Sequence, residues 1–172
     1  MTEPRLLHVP CQGPAGAHTM ACWQWGAAQA PHVVLCVHGL TRQGRDFDVL
    51  AQALVARAPG ALRVVCPDVV GRGHSQWLAD PTGYHLGTYA ADMLTLMQAL
   101  DQQAPVAWFD WVGTSMGGLI GMAVCGSTAL ALPAPVRRLV LNDVGPVMEW
   151  QALKRISGML GRGGRFDTVQ HA

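Results

Sequence analysis

The chain has 172 residues, with 12 Lys and Arg against 11 Asp and Glu, and a formal net charge of +1. At roughly 100–200 residues per domain this allows one domain, and the balanced charge excludes the basic footprint that nucleic acid or an anionic membrane surface demands. Only 13% of the residues are charged and 50% are hydrophobic, against about 25% charged in an ordinary soluble domain, which points to a sheet covered on both faces.

In chain order, residues 6–9 and 19–25 read as an antiparallel pair at one sheet edge. His32–Val37 (HVVLCV) is a buried strand rich in β-branched residues. Residues 44–58 carry Phe47, Leu50, Leu54 and Val55 near helical spacing and stop at Pro59-Gly60. Residues 62–66 form the next strand. Residues 88–100 form a helix with Thr88 as N-cap and Met93, Leu94, Met97 and Leu100 on one face. A strand over 106–112, a small-residue helix over Met116–Gly126 and a strand over Val136–Asn142 follow, then a helix over 149–160 broken by Gly161, Gly163 and Gly164. Alternating strands and helices predict an α/β architecture, a mostly parallel sheet of about six strands with helices on both faces.

From Trp111 to Val136 there are 26 residues without a charged side chain or His. The glycines within this stretch, Pro133 and Pro135, and the short apolar core argue for a buried helix and not for a membrane span. The five cysteines form no Cys-x-x-Cys pair and no zinc-finger spacing with His. Neither a metal site nor a disulfide framework nor any cofactor is expected, and free thiols suit a reducing, cytoplasmic setting. Residues 1–13 show no signal-peptide pattern.

Three motifs sit at strand ends. Gly113-Thr114-Ser115-Met116-Gly117 matches G-x-S-x-G between a strand and a helix. A sharp turn there strains the Ser backbone and pushes its Oγ out of the sheet, while glycines at 113 and 117 let strand and helix approach. The Met116 amide at the helix start can face a developing oxyanion. His38-Gly39-Leu40 follows the strand His32–Val37. Its loop can offer a second donor, the Leu40 amide, with Gly39 permitting the turn and His38 bracing the loop. Asp68-Val-Val-Gly71-Arg72-Gly73-His-Ser75 follows the strand over 62–66. Asp68 suits turn capping and Gly71 and Gly73 suit chain reversal, whereas the third Gly of a dinucleotide fingerprint and the Gly-Lys of a P-loop are missing.

These motifs, in this order, resemble the α/β-hydrolase superfamily, and the loop over 38–48 and the segment over 139–146 resemble a bacterial branch of single-domain hydrolases within it. The resemblance implies Ser115 as nucleophile and the amides of Leu40 and Met116 as oxyanion hole. A Ser nucleophile needs a His to accept its proton and an acid to orient that His, in the chain order Ser, acid, His. Six histidines precede Ser115 and only His171 follows, in no Gly-His context. Asp143, just past the strand Val136–Asn142, is the candidate acid, and Asp167 a weaker one. The chain is therefore read as about the first two-thirds of a hydrolase, with 1–147 as core, 148–172 as the start of a helical lid, and the final strands and catalytic His lacking.

The function that follows is hydrolysis of a carboxylic ester or related small-molecule acyl substrate through an acyl-enzyme, with this chain alone inactive. Two alternatives remain open: a non-catalytic truncated remnant that binds a ligand without turnover, and an acyltransferase or carbon–carbon bond hydrolase on the same fold. Arg42 and Arg45 near the oxyanion loop suit either a substrate carboxylate or pairing with Asp46 and Asp48.

Overall fold

The computed structural model describes residues 3–13, 16–147, 151, 154, 155 and 158. Two strands, β1 (Arg5–Gly13) and β2 (Gly16–Gly26), pair antiparallel. Alternation along β1 buries Val9 and Cys11 while their neighbours face outward. Next come β3 (His32–Val37), a 3-10 turn (Gly44–Phe47), α1 (Asp48–Arg57), β4 (Leu62–Pro67), α2 (Leu86–Gln103), β5 (Trp108–Thr114), α3 (Met116–Gly126) and β6 (Val136–Asn142). The sheet order is β1-β2-β4-β3-β5-β6. The pairs β3–β4, β3–β5 and β5–β6 are parallel, and β2–β4 is antiparallel. The expected α/β sheet and its antiparallel edge pair are present.

Both faces of the central strands are covered, as the low charge fraction suggests, whereas no residue of β6 is fully buried. Val33, Leu35, Val37 and Val65 pack in one apolar cluster with Met93, Leu96 and Met97 of α2 and Ile120 of α3. Val34, Cys36, Val64 and Cys66, one residue out of phase, pack on the other face with Ala51 of α1, Trp23 and Trp25. Fully burying each large apolar side chain contributes about 1.5–3 kcal/mol. Arg63 is buried within β4. It donates to the carbonyls of Ala28, Leu100 and Ala104, and so places a cation at the C-terminal end of α2.

Four local readings change. The helix over 44–58 divides into the 3-10 turn and α1; Phe47, Leu54 and Val55 pack on the core side as expected, whereas Leu50 is exposed and Ala51 is buried in its place. Thr88 is not the N-cap of α2. The helix starts at Leu86 and His85 caps it, its Nδ1 accepting the Thr88 N–H at 3.3 Å. That helix also continues to Gln103. Strand β5 lies two residues later than spacing suggests and runs directly into Ser115. Of the helix expected over 149–160, the described positions Gln151, Lys154, Arg155 and Gly158 are helical, and the remainder lies outside the described residues, as do Asp167 and His171. Among the described residues no helix is long and apolar enough to cross a membrane.

Candidate active site

All three motifs leave the C-terminal ends of parallel strands: 38–40 after β3, 68–75 after β4 and Ser115 after β5. In open α/β sheets this is the edge where ligands bind.

Ser115 has φ 49° and ψ −113°. A non-glycine residue there carries strain of about 1–3 kcal/mol, held only where the surroundings over-determine it. The constraints are visible on both sides of the residue. Its N–H donates to the Asn142 carbonyl of β6 at 2.8 Å, and its carbonyl accepts from Gly118 at 2.9 Å and Leu119 at 3.2 Å, starting α3. Close approach fixes the helix position. A Cβ on Gly117 would overlap the carbonyl of Val37, and one on Gly113 would overlap the Gly117 carbonyl. Trp111, fully buried, donates its indole N–H to that same Gly117 carbonyl at 3.0 Å. Among the described residues, no side chain hydrogen-bonds Ser115 Oγ.

The 38–40 loop lies against this turn: a Cβ on Gly39 would sit 3.7 Å from Ser115 Cβ. His38 is 1% exposed and uses both ring nitrogens. A carbonyl only accepts, so Nδ1–H donates to the Gly39 carbonyl at 2.7 Å; Nε2 then accepts from the Val69 N–H at 2.9 Å. Burial pushes its pKa below the ordinary 6.5. The Arg42 N–H also donates to the Gly39 carbonyl, at 3.1 Å. Because Gly39 C=O and Leu40 N–H belong to one planar peptide, two donors on the carbonyl aim the Leu40 N–H the opposite way. No intramolecular acceptor among the described residues takes the amide of Leu40 or Met116.

The loop after β4 braces this arrangement. Asp68, fully buried, accepts from the N–H of Gly44 at 2.7 Å, the N–H of His74 at 2.8 Å and the indole N–H of Trp23 at 3.3 Å. Gly73, at φ 51°, lies against this carboxylate, where a Cβ would overlap it; Gly71, at φ 79°, lies against Tyr84. Arg72 between them was not singled out by sequence, where the pair of glycines was read only as chain reversal. Its Nε donates to the Leu40 carbonyl at 3.0 Å and its Nη1 to Val70 O at 2.8 Å and Tyr89 Oη at 3.1 Å. Its guanidinium lies 5.7 Å and 5.3 Å from the Tyr84 and Tyr89 ring centroids. A cleft of about 310 Å³ opens beside the loop, lined by Thr41, Arg42, Gln43, Asp46, Arg72 and Gly73. Arg42 and Arg45 both pair with carboxylates, of Asp46 and Asp48 respectively.

Asp143 is exposed at the exit of β6 with φ 57°, one residue beyond the Asn142 carbonyl that Ser115 binds. Other histidines are engaged away from the turn: His18 with Asp92, His32 with Asp110, and His85 with Thr88.

Known proteins place this architecture. A family model described as alpha/beta hydrolase fold matches residues 32–161. A 3-hydroxybutyrate-oligomer hydrolase of Cupriavidus necator is 52% identical over 169 residues, covering 98% of this chain and 53% of that protein. A lipase of Mycobacterium tuberculosis is 30% identical over 152 residues, covering 87% of this chain and 46% of its own length. The crystal structure of an alpha/beta hydrolase from Novosphingobium aromaticivorans superposes with a TM-score of 0.71 at 34% identity, over 98% of this chain and 54% of that one. The chain thus spans about half the length of the curated relatives it matches, less than the two-thirds expected. On this evidence the chain belongs to the alpha/beta hydrolase fold family.

Proposed function

We propose that Ser115 is the nucleophile of a serine hydrolase that cleaves carboxylic esters, with 3-hydroxybutyrate-type oligomers as the substrate class suggested by the relative from Cupriavidus necator. The observation that carries this reading is the strained backbone of Ser115, φ 49° and ψ −113°, at the β5–α3 turn. Such strain serves no packing purpose that a glycine would not serve better, but it does present the hydroxyl away from the sheet.

In this reading Ser115 Oγ adds to the ester carbonyl carbon as its proton passes to a base. The carbonyl oxygen becomes an oxyanion facing the amides of Leu40 and Met116, the latter strengthened by the α3 dipole. Collapse expels the alcohol, which takes up the proton, and water then adds to the acyl-enzyme and releases the acid. Asp143 is the group proposed to orient the base. The base itself is not among the described histidines. His38 has both nitrogens committed, and none of the others hydrogen-bonds Ser115. Because no described histidine hydrogen-bonds Ser115 and the chain spans about half the length of its relatives, we read residues 1–172 alone as inactive. Free cysteines at all five positions suit a cytoplasmic setting.

The test is hydrolysis of p-nitrophenyl butyrate and of a 3-hydroxybutyrate trimer by the full-length protein and its Ser115→Ala variant. The expected loss in kcat is about 10⁴-fold or more. An unchanged rate in Ser115→Ala overturns the proposal.

A further inference from the structure

A second cluster of chemically competent side chains lies outside the Ser115 site. Cys11 of β1 and His18 of β2 are direct cross-strand partners in the hairpin register. Asp92, on the inward face of α2, reaches the same point. The three residues are 2%, 5% and 2% exposed, and one potential ligand atom from each lies within 4.8 Å of the others. His18 Nε2 is 2.9 Å from Asp92 Oδ2. Sequence spacing hides this grouping, because six residues separate Cys11 from its cross-strand partner His18 and the third ligand comes from a helix far along the chain.

We propose that Cys11, His18 and Asp92 form a zinc-binding site that ties the β1–β2 hairpin to α2. Three features support it. The donor set is one thiolate sulfur, one imidazole nitrogen and one carboxylate oxygen, the mixture that a borderline-soft tetrahedral ion accepts. His18 Nδ1 faces the Gly16 carbonyl at 3.4 Å. A carbonyl accepts only, so this contact places a proton on Nδ1 and leaves Nε2 as the ligand atom, the usual outer-shell arrangement. A cleft of about 250 Å³, with Cys11, His18, Thr19 and Gln76 among its walls, reaches two of the three ligands and provides an entry path.

Charge is conserved in the exchange. Without metal, one proton is shared between His18 and Asp92 and another sits on the Cys11 thiol, so the cluster is neutral. On binding, both protons leave to water and bonds form from zinc to Sγ, Nε2 and a carboxylate oxygen. One divalent ion against one thiolate and one carboxylate is again neutral, so the buried cluster takes on no net charge.

The test uses full-length protein stripped with a chelator and titrated with Co²⁺, then with Zn²⁺. The expected result is a near-ultraviolet thiolate-to-cobalt band that saturates at one equivalent, is displaced by Zn²⁺ and is absent from Cys11→Ser. His18→Gln is expected to lose about 100-fold or more in Zn²⁺ affinity. Zn²⁺ should raise the Tm of wild type and leave that of both variants unchanged. If Cys11→Ser does not fold, the affinity loss in His18→Gln decides. Absence of the band from wild type, or equal zinc affinity in a folded variant, overturns the proposal. None of these readouts uses esterase activity, so failure here leaves the Ser115 proposal untouched.

Discussion

Arg72 Nε donates to the Leu40 carbonyl at 3.0 Å. Together with the two donors on the Gly39 carbonyl, this pins both peptide planes that flank the Leu40 α-carbon. Arg72 touches neither substrate nor Ser115 Oγ in this reading; it is a positioning residue that holds the direction of one amide N–H. Arg72→Met in the full-length protein should lower kcat about 10-fold while leaving KM within about twofold, since losing an oxyanion donor outright costs 10²–10³. Steady-state kinetics on p-nitrophenyl butyrate check this. A raised KM at unchanged kcat would instead make Arg72 a substrate-binding group.

Gly117 is fixed by contact with the backbone of β3. Gly117→Ala forces a Cβ into the Val37 carbonyl, and neither main chain has a flexible end to yield. The expected cost is about 3 kcal/mol or more. Gly126→Ala, at the end of the same helix with open space around it, should change stability by less than about 1 kcal/mol. Urea unfolding of the two variants separates packing from helix propensity.

Asp68 satisfies three N–H donors with one carboxylate. Asp68→Asn keeps the shape but turns an NH₂ towards a donor, so a buried N–H loses its acceptor. A loss of about 2–3 kcal/mol is expected, read as a lowered urea midpoint at unchanged m-value. A midpoint equal to wild type would show that the loop after β4 does not depend on the carboxylate.

His38 makes stability depend on pH with a definite sign. Burial lowers its folded-state pKa below 6.5, the value of the unfolded chain. The unfolded state therefore takes up the proton first as pH falls. The stabilisation from His38 is complete above about pH 6.5 and is lost as pH drops through the lower folded-state pKa. Between pH 7 and pH 5 the wild type should lose more stability than His38→Gln, as seen in urea midpoints. Equal losses would mean that the ring is not held neutral in the fold.

Much of the fold was legible because its strands are apolar runs closed by glycine or proline. His32–Val37, Val136–Asn142 and Met116–Gly126 have the bounds that their composition suggests. Helix α1 was less legible. Of its expected apolar positions Phe47, Leu54 and Val55 pack on the core side, but Leu50 is exposed and the buried Ala51 went unnamed. His85 was overlooked as a cap because His rarely fills that position, yet its ring nitrogen accepts as a Ser or Asp oxygen would. At the site, the G-x-S-x-G spacing pointed to the turn, since local backbone geometry demands those residues. Arg72 and the Cys11–His18–Asp92 cluster depend on contacts between distant segments, which no local spacing reveals.

Nucleophilic attack by the hydroxyl of Ser115, on its strained turn, leaves a covalent trace that can be captured. The direct measurement is the intact mass and peptide map of the full-length protein after reaction with a fluorophosphonate. The expected result is a single covalent adduct on the peptide carrying Ser115, lost in Ser115→Ala. An adduct that forms equally in Ser115→Ala, or on another residue in wild type, would contradict it.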